Sequence, residues 1–130
     1  MPDTGKAMTA AFRDFLRKKY QTNDALAAAW KTPGLTFDTA TVPDGTERRG
    51  QEHYLRDPSD GTDRKVMDYY LCHSQVVADM LLAMAGAVKA SDRKLLVGAY
   101  YGYCFGFPYP AEGSTLELEK VLSSPDIDFL

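Results

Sequence analysis

The residues best suited to contact a ligand are aromatic and lie close together near the carboxyl-terminal end of the chain. An apolar run ends in Tyr100, Tyr101 and Tyr103, and the turn-rich segment after it adds Phe105, Phe107, Tyr109 and Glu112. Aromatic rings beside a few polar groups suit a sugar, whose C–H faces stack on rings while its hydroxyls need donors and acceptors. A second interpretation stays open, in which the tyrosines are core residues whose hydroxyls bond to the backbone.

Carboxyl groups for glycosidic bond cleavage are harder to identify. Glycoside hydrolysis needs two of them on opposite sides of the scissile bond. Glu112 lies in a predicted loop, and Glu117 and Glu119 lie on a predicted outer helix. Asp126 and Asp128 lie on the last predicted strand without a recognisable partner. GxSxG, HExxH, phosphate-loop and GxGxxG signatures are all absent from the sequence. We therefore predict no catalytic residue in this chain.

The aromatic residues belong to a predicted β-α-β unit over residues 95–130. The run LLVGAYYGY is apolar on both faces, which is typical of a strand in a parallel sheet covered by helices. A loop, a helix capped by Ser114 and a second buried strand, residues 126–130, complete a right-handed crossover. Because ligands bind at the carboxyl ends of parallel strands, the aromatic loop would lie at the functional end.

The rest of the chain is predicted to be mainly helical around one irregular segment. Apolar spacing predicts an amphipathic helix over residues 6–20 and a shorter one ending before Pro33, so that residues 6–32 are helical. Residues 33–65 carry Pro, Gly, Asp and Thr without lasting periodicity and are predicted to be an irregular excursion. A long helix follows over residues 66–90, with Asp63 as a plausible N-cap. Residues 1–130 are thus predicted to form one α/β domain.

Composition excludes several partners. A net charge of −3 and fifteen scattered Lys and Arg residues argue against nucleic acid. We expect neither a membrane span nor a signal peptide, and hence a cytoplasmic location as the sequence is written. Cys72 and Cys104 lack metal-ligand spacing and are predicted to be free thiols, so no metal or cofactor is expected.

Three segments together resemble one enzyme family. AFRDFLRKKYQTNDALAAAW, residues 11–30, resembles a helix and the stretch after it in glycoside hydrolase family 42 and related β-galactosidase-like enzymes of clan A. Gln21 stands where the family commonly has Gly, and Ala28 stands near its usual Asn. LLVGAYYGYCF and LEKVLSSPDIDFL resemble the fifth strand, fifth helix and sixth strand of that barrel, so the resemblance covers residues 11–130.

The resemblance implies that the chain is an internal fragment of a (β/α)8 TIM barrel, with long helices before a parallel β-α-β unit. Both glutamates of a retaining mechanism would lie outside it, one before Met1 and one after Leu130, so the fragment would be inactive alone. Tyr101 and Tyr103 would line a sugar pocket with Asp128 nearby. Together with Tyr109 and Glu112 of the aromatic loop, they are the predicted substrate-binding residues.

Two strands alone would leave open edges, so we also expect a homo-oligomer formed through strand edges or exchanged elements. The alternative function is that of a small, non-enzymatic α/β protein that binds a saccharide, another small ligand or a partner. A structural protein without a ligand is a third possibility.

Overall fold

The computed structural model describes residues 4–49, 56–102 and 115–130. Within these ranges the secondary structure is helical: α1 is Lys6–Tyr20, α2 is Asn23–Ala29, α3 is Gly45–Arg49, α4 is Gly61–Ser91 and α5 is Leu118–Leu122. The chain divides into two compact units, Met1–Cys72 (unit 1) and His73–Leu130 (unit 2). The boundary falls inside α4, and a single domain over residues 1–130 stays a prediction.

Unit 1 has an aromatic core built on α1. Its buried residues Met8, Phe12 and Leu16 recur every four positions, the spacing of one helix face. The ring of Phe12 stacks on Trp30 with centroids 6.0 Å apart and meets the edge of Tyr69 at 5.6 Å. The predicted helix over residues 6–20 is confirmed, because its periodicity is realised by packing within the same unit.

The predicted irregular segment, residues 33–65, contains two helical pieces. Asp44 accepts hydrogen bonds from the Thr46 and Glu47 amides, while Glu47 accepts one from the Asp44 amide, a capping box that forms α3. Asp60 likewise accepts bonds from the Thr62 and Asp63 amides, so α4 begins at Gly61 rather than at residue 66. Asp60, not Asp63, is the N-cap.

Asp63 has a different role beneath that first turn. Its side chain is 2% exposed and accepts hydrogen bonds from Arg56 at 2.8 Å and from the Asp57 amide at 2.9 Å. Gly61 lies against the Trp30 carbonyl, where a Cβ atom would collide with it. The start of α4 is therefore fixed both by capping and by close backbone approach.

The predicted β-α-β unit is wrong, and with it the α/β fold class and the TIM-barrel segment, because the described residues form no strand. The two segments that were predicted to be strands, residues 95–103 and 126–130, meet in one parallel bridge between Gly98 and Phe129. The Ala99 amide bonds to the Phe129 carbonyl at 3.2 Å and the Asp128 amide to the Val97 carbonyl at 2.8 Å. α5 between the two segments has only five residues.

The physical reason lies in what a parallel sheet requires. Such sheets are stable when further strands cover both edges and helices cover both faces. The apolar run predicts that environment, but Leu96 and Phe129 are 77% and 58% exposed, so the described residues of unit 2 do not supply the covering layers. Two segments with one bridge satisfy too few backbone groups to extend into strands.

Among the residues that the structure describes, one helix, α4, is long and apolar enough to cross a membrane by length and composition. It also carries Asp68 and Lys89, whose side chains are buried against other parts of the chain. Core helices of soluble proteins can be equally long and apolar, so length and composition alone do not show a membrane span. The structure is compatible with a soluble protein.

Candidate functional site

A pocket of about 210 Å³ lies in unit 1. It is bounded by the end of α2, the segment after it, α3 and the first turns of α4. Its lining has three kinds of residue: the hydroxyl residues Thr32, Thr39, Thr41 and Thr62, the oppositely charged Glu47 and Lys65, and Trp30, Leu35 and Gly61. Polar and apolar surfaces thus meet in one small cavity.

The charged pair is held from both sides. The capping box of α3 fixes Glu47, and Lys65 projects from the second turn of α4 to meet it. The Lys65 ammonium lies 2.8 Å from Glu47 Oε1 and 2.9 Å from Oε2, and the two side chains are 15% and 29% exposed. The pair is neutral overall, yet it offers both a donor and an acceptor to a ligand.

The threonine hydroxyls of the pocket differ in whether they already make hydrogen bonds within the chain. Thr32 Oγ1 donates to the Trp30 carbonyl at 3.0 Å, and Thr39 Oγ1 accepts from the Thr36 amide at 3.0 Å. Thr41 Oγ1 lies 3.4 Å from the Lys65 ammonium, at the limit of a hydrogen bond. Within the described part of the chain, the Thr62 hydroxyl makes no hydrogen bond. Thr41 and Thr62 are therefore the hydroxyls best placed to bind a ligand.

Next to this pocket, a fully buried carboxylate fixes Trp30. Asp68 is 0% exposed and accepts hydrogen bonds from the Lys19 ammonium at 2.6 Å, the Tyr20 hydroxyl at 2.6 Å and the Trp30 indole N–H at 2.8 Å. Arg64 Nε lies 3.7 Å away. Burial of the phenol, followed by its hydrogen bond to Asp68, raises the pKa of Tyr20. Asp68 joins α1, the end of α2 and α4, so its role is to position them.

The two predicted substrate-binding residues that the structure describes make contacts within unit 2. Tyr101 is 8% exposed, and its hydroxyl accepts a hydrogen bond from the Glu117 amide at 3.2 Å. That contact is the core arrangement left open by the sequence. Asp128 Oδ2 accepts bonds from the Lys89 ammonium at 2.6 Å and the Val97 amide at 2.7 Å. The Lys89 hydrogen bond, followed by that of Val97, lowers the pKa of Asp128.

The other predicted substrate-binding residues, Tyr103, Tyr109 and Glu112, lie outside the described residues. A role in ligand binding for these three, and for Tyr101 and Asp128, stays a prediction. Except for Trp30 and Thr32, the pocket residues fall in the predicted irregular segment, residues 33–65, and its lack of periodicity is why the sequence analysis missed them. One signal could have found them: the sequence DGTE, residues 44–47, is a capping-box pattern that predicts α3 and fixes Glu47.

The described lining of this pocket supplies hydrogen-bond donors and acceptors that can bind a ligand. Among the described residues of its lining, Glu47 is the single carboxyl residue, whereas glycoside hydrolysis needs two. Across residues 4–49, 56–102 and 115–130, no three His, Cys, Asp or Glu residues are grouped to hold a metal ion. Burial raises the pKa of the Cys72 thiol to about 12, so Cys72 is not a nucleophile.

No protein-family model matches the chain, and no curated protein or solved structure matches it either. The resemblance to glycoside hydrolase family 42 therefore stays a prediction from the sequence.

Proposed function

We propose that this chain binds a saccharide and holds one sugar ring in the pocket of unit 1. The observation that carries the proposal is the Glu47–Lys65 pair beside threonine hydroxyls and the apolar residues Trp30 and Leu35. A sugar hydroxyl can donate to the carboxylate and accept from the ammonium at the same time. Its C–H groups require an apolar neighbour, which the same pocket supplies.

Charge and size narrow the ligand class. Because the ion pair is neutral, it favours an uncharged polyhydroxy ligand over a phosphate or a carboxylate. Pockets for drug-sized ligands occupy roughly 300–1,000 Å³. The pocket here, at about 210 Å³, suits a single ring rather than an oligosaccharide.

The sequence resemblance supports the same ligand class and extends the proposal. It implies that the chain derives from a retaining β-galactosidase-like hydrolase, and both catalytic glutamates would then lie outside these 130 residues. The chain itself then binds carbohydrate without cleaving it. A cytoplasmic location forms part of the proposal.

Trp30 provides the measurement, since it is the one tryptophan of the sequence and lines the pocket. We expect galactose or glucose to change its fluorescence in a saturable titration, and calorimetry to give the same affinity. Glucose 6-phosphate and glucuronate should bind more weakly. No saturable change with any neutral monosaccharide would remove the proposal.

Two substitutions test the pocket itself. Thr62→Val should weaken sugar binding roughly 2- to 10-fold, the loss of one neutral hydrogen bond. Thr46→Val is the matched control, because Thr46 is exposed on α3 outside the pocket, and it should leave binding unchanged. Glu47→Gln should weaken binding further, roughly 10- to 100-fold, as expected for a hydrogen bond to a charged group.

A separate assay tests the absence of catalysis. We expect no turnover of p-nitrophenyl galactoside by this chain. Turnover that survives Glu47→Gln would show that a catalytic pair exists elsewhere in these residues, and it would contradict the assignment of both glutamates to positions outside the chain.

A further inference from the structure

The short helix that carries Glu47 has little to hold it in place by itself. α3 has five residues, and none of these five is buried. Isolated helices shorter than roughly 12 residues are marginal in water, and most helices in proteins are stabilised by burying an apolar face. The position of α3, and with it the position of the Glu47 carboxylate in the pocket, therefore depends on polar contacts.

Polar contacts hold the first part of α3. The Asp44 carboxylate caps its amino-terminal end, and the Lys65 ammonium binds the Glu47 carboxylate. The last carbonyl groups of a helix have no partner within the helix. The carboxyl-terminal end of α3 therefore needs a donor from another part of the chain.

Arg56 supplies that donor. One terminal nitrogen of its guanidinium donates to the Glu47 carbonyl at 3.2 Å, and the other donates to the Arg48 carbonyl. The same guanidinium donates to the Asp63 carboxylate at 2.8 Å. A positive charge at the carboxyl-terminal end of a helix is also favoured by the helix dipole. Arg56 thus attaches the end of α3 to the first turn of α4.

This attachment is shielded from water and lies next to the pocket. The side chains of Asp63 and Arg56 are 2% and 14% exposed. Asp63 lies on the same end of α4 that supplies Thr62 and Lys65 to the pocket. Among the described residues of the lining, neither Arg56 nor Asp63 is present. The pair can therefore act on a ligand only through the residues that it holds in place.

We propose that Arg56 and Asp63 are positioning residues for Glu47 and that their contact sets the affinity of the pocket for a sugar. The inference rests on the proposed function, because sugar affinity is what the positioning would control. Without the Arg56 contact, the carboxyl-terminal end of α3 frays and the Glu47–Lys65 pair opens. The combined donor and acceptor that a sugar hydroxyl uses is then lost.

The first measurement needs no ligand. Acetylation by N-hydroxysuccinimidyl acetate, followed by peptide mass spectrometry, reports whether Lys65 is paired with Glu47. Arg56→Gln should raise the acetylation rate of Lys65 roughly 2- to 5-fold, as expected for the loss of a partly exposed ion pair. Lys19, which binds Asp68 in the same unit, should keep its rate, whereas a general loss of stability would raise both rates.

Two further variants separate position from charge. Arg49→Gln is the matched control, because it removes the same charge from an exposed position of α3, and it should leave the Lys65 rate unchanged. Arg56→Lys keeps the charge opposite Asp63, but an ammonium lacks the planar fork that holds two carbonyl groups together with a carboxylate. Its Lys65 rate should lie between those of the wild type and Arg56→Gln.

Sugar titrations connect the positioning to binding. Arg56→Gln should weaken galactose binding, followed by Trp30 fluorescence, roughly 2- to 10-fold, a coupling expected for residues of one hydrogen-bond network. In a Glu47→Ala background the same substitution should cause no further loss, because no carboxylate remains to be positioned. A further loss in that background would show a structural role and overturn the proposal.

The positioning and the proposed function fail separately. If the wild-type chain binds no neutral monosaccharide, the proposed function is removed, and the acetylation rates alone decide whether Arg56 positions Glu47. An unchanged Lys65 rate in Arg56→Gln overturns the positioning whether or not a sugar binds, and so does an equal rise at Lys65 and Lys19. Equal sugar affinity of the wild type and Arg56→Gln overturns it as well.

Discussion

Asp68→Asn is the substitution that best tests how unit 1 is held together. Asparagine keeps the shape of the side chain but removes its charge and turns one acceptor oxygen into a donor. The Tyr20 hydroxyl and the Trp30 indole N–H both donate to Oδ2 and can keep an amide oxygen at that position. The new amide N–H2 group then replaces Oδ1 as a buried donor without an acceptor, and Lys19 and Arg64, 27% and 31% exposed, lose their partner and turn to water. A buried donor without a partner costs about 1–3 kcal/mol, and hydrogen bonds to a charged group are about 1 kcal/mol stronger than neutral ones.

Together these losses predict a decrease of about 3 kcal/mol in the free energy of unfolding, at the low end of the range for breaking a buried ion pair. Urea denaturation followed by Trp30 fluorescence measures it directly, because the indole itself bonds to Asp68. Asp14→Asn is the matched control: Asp14 pairs with Arg17 on the surface of α1, and such pairs contribute under about 1 kcal/mol. If both variants lose the same stability, the buried carboxylate does not hold α1, α2 and α4 together.

Two further predictions concern titratable groups. Because burial raises the pKa of Cys72 to about 12, iodoacetamide at pH 8 should modify it at least roughly a hundredfold more slowly in the folded chain than in urea, measured by peptide mass spectrometry; equal rates would contradict this. Because Lys89 lowers the pKa of Asp128, that carboxylate stabilises the fold above its unfolded pKa of about 3.9. The free energy of unfolding of the wild type should therefore exceed that of Asp128→Asn at pH 6, and the difference should shrink below about pH 4. Urea denaturation followed by circular dichroism at the two pH values measures this difference. A difference that does not change between pH 6 and pH 4 would show that Asp128 is unpaired.

Local sequence patterns predicted α1, whose packing partners lie in the same unit. The bounds of α1 were correct because its four-residue apolar spacing is met by Trp30 and Tyr69 in the same unit. The pattern of residues 95–103 was equally strong, but it specifies a both-sides-buried strand only where other elements cover it. An apolar pattern indicates which faces of a segment would be buried, but whether they are buried depends on the elements that pack against the segment.

The candidate site was less predictable for a related reason. Glu47 and Lys65 are 18 positions apart and meet only because two Asp residues, Asp44 and Asp60, cap successive helices. Asp68 gave no usable signal, since a lone acid on an otherwise apolar helix face predicts a solvated group. Its burial depends on three donors from α1 and the end of α2 that converge on it.

The two units differ in how well they cover their apolar side chains, and this difference explains the failed strand prediction. The described residues of unit 2, 73–102 and 115–130, carry an excess of apolar side chains that they do not bury, and the apolar run of residues 95–103 is what predicted a covered sheet. The same excess remains on the surface of α4 and as Leu96 and Phe129 beside the parallel bridge. α3 of unit 1 is the opposite case, because none of its residues is buried and polar contacts fix its position. Apolar patterning therefore predicted an element that the described residues do not complete, and it gave no signal for one that they do.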